Sequence, residues 1–171
     1  MRALALILLF SSSVTNAMEW NIDIDKGPFG IKWGATEEEI VDGIGEPNGY
    51  FNISNHKKLM FYGKKIVFLL SRGKLKEVNF SDYSHSILLR TPIAVNSEFE
   101  TANITVNGKE IFRENFKQLE DVLGIELGEP SSQAEFATNT ADVYLSFAQT
   151  YWGNSTTGSY TLIGYRIVYQ L

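Results

Sequence analysis

The sequence has no cysteine, which removes disulfides, thiolate metal sites and a cysteine nucleophile together. Histidine is nearly absent: His56 and His85 are the only two, and neither has a second histidine or a carboxylate at ligand spacing. Metal sites need several convergent donors, so no metal and no cofactor is expected. There is no run of basic residues, and the net charge is −5. That balance argues against nucleic acid and against an anionic membrane surface. It suits a basic protein partner. No apolar run is long enough to span a bilayer.

The longest apolar run lies at the start, in "MRALALILLFSSSVTNA". One positive charge at Arg2, the stretch Ala3 to Phe10 and the small residues ending in Asn16-Ala17 match a secretory signal peptide cut near Ala17. The expected location is therefore periplasmic or secreted, with no stable membrane insertion. An exported chain without disulfides fits a periplasm better than a eukaryotic secretory route.

Beyond Ala17 the chain reads as strands and short helices. "EWNIDID" alternates Trp20, Ile22 and Ile24 with polar residues, as a half-buried strand does. Thr36 followed by Glu39 makes a capping box, and the acidic start Glu37-Glu38-Glu39 suits the positive end of a helix. Ile40, Val41 and Ile44 form the apolar side, and Gly45 with Pro47 stops the helix. After a polar loop, "LMFYG", "KKIVFLLSRG" and "KLKEVNF" read as a three-stranded meander turning at Gly63 and Gly73. In "KKIVFLLS" both parities are apolar, so this strand is expected to be buried on both faces or to form part of a grip surface.

The second half repeats the order. Asn107 with Glu110 looks like another cap. Ile111, Phe112, Phe116, Leu119, Val122 and Leu123 then follow a helical rhythm to Gly124 or Gly128. A long hairpin, "ADVYLSFAQTYW" and "YTLIGYRIVYQL", ends the chain. "GEP" occurs after both helix signals, at Gly45 and at Gly128. The shared order predicts an α+β fold of two tandem helix-plus-antiparallel-meander units forming one sheet, with helices on one face. The expected divisions are 1–17 as signal peptide, 18–80 as the first unit, 81–106 as connecting strands and 107–171 as the second unit.

The segment "GATEEEIVDGIGEP", followed by "LMFYG" and "IVFLLSRGKLKEV", resembles small bacterial envelope domains of the outer-membrane-assembly lipoprotein type. It also resembles one repeat of the β-lactamase inhibitory protein. The resemblance implies helices on one side of an antiparallel sheet whose other side grips a protein. The chain lacks the lipid-anchor cysteine of the first group and the disulfides of the second.

No catalytic residue stands out. Asp82, Ser84 and His85 in "SDYSHS" are too close in sequence for a triad, because neighbours on a strand face opposite ways. There is no phosphate-binding glycine pattern. An enzyme is not expected.

Aromatic residues are the surplus, with 11 Phe, 8 Tyr and 3 Trp. Tyrosine and arginine are favoured where proteins dock. Strand alternation assigns Val143, Leu145 and Phe147 to the core and turns Tyr144, Ser146, Ala148 and Trp152 outward. It likewise assigns Ile163, Tyr165, Ile167 and Tyr169 to the core, with Tyr160, Leu162 and Arg166 outward. The expected partner-binding residues are Tyr50, Phe51, Tyr144, Trp152, Tyr160 and Arg166. Together these features predict an exported protein-binding module, an inhibitor or immunity protein that occludes an envelope-acting hydrolase or toxin. A non-catalytic accessory or scaffold of outer-membrane assembly is the alternative.

Overall fold

A computed structural model describes residues 20–81, 99, 101–150 and 159–170. The expected signal peptide, the "SDYSHS" stretch after Ser81, and Trp152 lie outside the described residues.

The described chain opens with β1 (Asn21–Asp23) and β2 (Gly27–Pro28), which pair antiparallel. Their turn is pinned by Asp23, whose Oδ1 accepts from the N–H groups of Asp25 and Lys26 at 3.1 and 3.0 Å. Helix α1 (Glu37–Ile44) follows. The Thr36 hydroxyl accepts from the Glu39 N–H at 3.2 Å, and the Glu39 carboxylate accepts from the Thr36 N–H at 2.7 Å. This reciprocal cap satisfies two otherwise orphaned donors. Gly45 ends the helix at φ 88°, and its carbonyl accepts from the Tyr62 hydroxyl at 2.9 Å.

Four strands follow as an antiparallel meander: β3 (Gly49–Ser54), β4 (Lys57–Tyr62), β5 (Ile66–Ser71) and β6 (Lys74–Ser81). β7 (Thr105–Val106) returns to pair parallel with β1. Helix α2 (Phe116–Leu123) is capped by Asn115, whose Oδ1 accepts from the Gln118 N–H at 2.9 Å. The chain ends in β8 (Gln133–Ala137), β9 (Ala141–Thr150) and β10 (Ser159–Tyr169).

The long strands build one seven-stranded sheet in the order β3-β4-β5-β6-β10-β9-β8, and β2, β1 and β7 form a separate three-stranded sheet. One side of the large sheet is apolar over its central strands. Met60, Tyr62, Ile66, Phe68, Leu70, Leu75, Val78 and Phe80 join Val143, Leu145, Phe147, Leu162, Tyr165 and Ile167 in a single core cluster. Ile40 and Ile44 of α1, Phe116 and Leu119 of α2, and Ile22 of the small sheet pack into that same cluster. Trp20, Phe29, Phe68, Tyr62 and Phe99 close a ring of successive contacts, with centroids 4.9 to 6.0 Å apart. This ring ties the small sheet to the meander. The Tyr165 hydroxyl is buried in the core with no hydrogen-bond partner among the described residues, and burial pushes its pKa upward.

The expectation of two tandem helix-plus-meander units is overturned. The described chain is mostly β, with a seven-stranded antiparallel sheet and a small three-stranded one. The first half contributes four strands to the large sheet, because "GYFNIS", expected as loop, pairs along β4. "QAEFA" likewise pairs along β9. The second helix is much shorter than its apolar rhythm suggested. Asn107 and Gly108 sit at φ 50° and 73°, and Val106 and Lys109 exchange both backbone hydrogen bonds. Asn-Gly therefore makes a tight hairpin turn, the conformation this dipeptide favours. The Asn107 side chain accepts from the Ile24 N–H at 2.9 Å. Arg113, at φ 69°, breaks any helix before Asn115. The two GEP sites also differ, since α2 ends at Gly124 in the left-handed conformation, upstream of Gly128.

Candidate functional site

The side of the large sheet turned away from the core is organised in cross-strand rows. One row runs Phe61, Val67, Asn79, Arg166, Tyr144, Glu135 across β4, β5, β6, β10, β9 and β8. The next runs Leu59, Leu69, Glu77, Val168, Asp142, Ala137. The first three strands of this face are apolar and the last four polar. Phe61 and Val67 are buried, at 1% and 5% exposure, so this face is closed over β4 and β5. The polar end is open.

There a groove of about 750 Å³ lies across β6, β10, β9 and β8. Asn79, Ser81, Gln133, Glu135, Tyr144, Ser146, Ile163 and Arg166 contribute to its walls. Its centre is a cation–π pair: the Arg166 guanidinium carbon sits 4.3 Å from the Tyr144 ring centroid. The two residues are direct cross-strand neighbours. Arg166 is exposed and Tyr144 half-buried, so the ring backs a guanidinium that faces solvent, where a visitor can reach it.

Charge on this face is unbalanced. Among the described residues, Glu135, Asp142 and Glu77 share the rows around Arg166, with Lys57 the other cation acting on Glu77. Burial pushes the Glu77 carboxyl above the usual glutamate range, with Arg166 and Lys57 pulling the other way. A carboxyl raised on folding holds its proton more tightly when folded, so stability falls as pH rises from the unfolded value through the folded one. Glu77→Gln removes that loss. The variant should melt higher than the parent near neutral pH, with the gap closing towards about pH 4; thermal melts across that range check it.

The six expected binding residues do not form one patch. Tyr144 and Arg166 come together as the alternation predicts. Tyr160 does not join them, because β10 shifts register between Leu162 and Gly164. Upstream of this bulge Leu162 is fully buried opposite Phe147, and Tyr160 packs against the core. Ile163, expected in the core, lines the groove instead. Tyr169 is half-buried and stacks on Trp33 at 5.9 Å. Tyr50 and Phe51 lie on β3, away from the groove at the far edge of the sheet. Trp152 lies outside the described residues.

Sequence reasoning missed Asn79, Gln133 and Glu135. Gln133 and Glu135 were hidden because β8 is short and polar, and only its pairing with β9 reveals which side chains share the Tyr144 row. Among the described residues, no three His, Cys, Asp or Glu side chains converge on a metal-sized site. No described helix is long and apolar enough to cross a membrane.

No family model and no curated protein matches the chain. A solved structure to which it is similar is an extracellular protein containing a SCP domain from Bacillus anthracis strain Ames. The identity is 11%, the TM-score is 0.46, and the match covers 98% of this chain and 49% of that one. The chain thus spans about half of that protein's length.

Proposed function

We propose that the chain is an exported, non-catalytic protein-binding module of the inhibitor or immunity class, acting in the periplasm or outside the cell. It docks its partner on the polar end of the outer sheet face. The observation that carries this reading is the exposed Arg166 guanidinium held over Tyr144 in an open groove. Tyrosine and arginine are the residues that most often dominate docking energy, and here the sheet fixes both. The surrounding carboxylates favour a basic partner, such as an envelope-acting hydrolase or toxin with a cationic cleft, and opposite charge speeds capture. The aromatic surplus and the signal-like start support the same reading.

The test is recovery of a stoichiometric partner from envelope extract, followed by titration calorimetry against the parent chain and its variants. Tyr144→Ala and Arg166→Ala should each weaken binding by about 2 kcal/mol, roughly thirtyfold. Asn139→Ala, on the β8–β9 turn, should leave it unchanged. A recovered hydrolase should lose activity in a one-to-one titration. Full affinity in both groove variants would contradict the proposal.

A further inference from the structure

The far edge of the sheet is built differently from the groove. Among the described residues β3 pairs with β4 alone. A sheet edge presents alternate unpaired N–H and C=O groups, which proteins usually guard with charge, proline or a covering segment. β3 reads Gly-Tyr-Phe-Asn-Ile-Ser, with neither charge nor proline, and five of its six residues are exposed. Tyr50, Phe51 and Ile53 are 42%, 39% and 51% exposed. The bulge between Asn52 and Ser54 is its guard. The opposite edge, β8, carries Glu135.

The two sides of β3 differ in chemistry. Tyr50 stands opposite Met60, on the core side, beside the end of α1. Its hydroxyl donates to Glu46 at 3.4 Å. Lys58 lies 4.7 Å from its ring centroid and pairs with Glu37 at 2.6 Å. Glu37 of helix α1 and Glu46 just after it both act on the Tyr50 hydroxyl, and the helix itself carries no cation. This side is therefore net acidic. Phe51 stands opposite Leu59, which stands opposite Leu69, so the other side is apolar.

We propose that β3 is a strand-addition site for an extended segment of a protein partner. The segment carries basic residues at alternate positions facing Glu46 and α1, and apolar residues between them facing Phe51. Backbone hydrogen bonds to the open edge supply affinity, and the two-sided chemistry supplies selectivity. A second copy of the chain fits poorly, since its β3 has no charge to offer and each copy carries −5. This surface is independent of the Tyr144–Arg166 groove.

The probe is a capped, fluorescent peptide of alternating lysine and valine, with a glutamate–valine peptide as its counterpart, in about 0.15 M salt. Anisotropy reports binding to the full chain, and amide exchange reports where. The lysine peptide should bind and protect residues 49–54, with affinity at least tenfold lower for Phe51→Lys and for Glu46→Lys. The glutamate peptide should bind Glu46→Lys better than the parent. Both positions lie at the edge, and matching melting temperatures verify that the variants are folded. Failure of the lysine peptide to bind, equal affinity for the variants, or protection outside 49–54 would overturn the proposal. So would concentration-dependent protection of β3 without peptide, which would make a second copy the occupant.

Discussion

Phe68→Ala should lower the stability of the whole chain by about 4 kcal/mol, the middle of the range for truncating a buried aromatic. Phe68 is fully buried, and its ring touches Tyr62 at 5.3 Å and Phe29 at 6.0 Å. Those contacts make it the link between the meander and the small sheet within the aromatic ring described above. Removing it leaves a cavity bounded by strands on one side and the β1–β2 unit on the other, neither of which can collapse without breaking its own pairing. The loss is a large part of the roughly 5–15 kcal/mol that holds a domain folded. Urea unfolding checks it. A midpoint that barely moves, or a split into two transitions, would show that the core is not continuous there.

Gly164→Val should cost about 3 kcal/mol and damage the groove as well. A Cβ on Gly164 would meet the Phe80 carbonyl oxygen at 2.8 Å and the Ser81 Cα at 3.3 Å. Both obstacles are backbone, so no rotamer change relieves them. Gly164 sits opposite Ser81 on one side and Ser146 on the other, at the seam where the meander meets the C-terminal strands. Forcing β10 away from β6 there shifts Arg166, two residues on, relative to Asn79. Thermal melts should show the destabilisation, and amide exchange should show faster opening of β6 and β10 than of β4 and β5. Equal stability would mean that the seam is looser than its geometry implies.

The parts of this fold that were legible in the sequence are those set by local chemistry. The Thr36–Glu39 capping box places α1, and glycine turns separate β4, β5 and β6. Both parities of "IVFLL" are apolar because β5 is buried on both faces: Ile66, Val67, Phe68 and Leu70 all lie at 5% exposure or less. The illegible parts depend on partners distant in sequence. β3 and β8 are too exposed to alternate clearly, and pairing with β4 and β9 alone makes them strands. Asn107-Gly108 carries a hairpin signal that an adjacent helical rhythm masked. In the site, alternation along β9 and the end of β10 brought Tyr144 and Arg166 together. It failed for Tyr160 because a single extra residue at the Leu162–Gly164 bulge reverses every side chain beyond it.

The polar end of the outer sheet face is proposed to dock a protein. Amide exchange of the chain with and without its isolated partner tests this most directly. The claim predicts slowed exchange across residues 133–137, 142–148 and 163–168, with the core strand β5 unchanged. Protection that leaves those three segments untouched would contradict it.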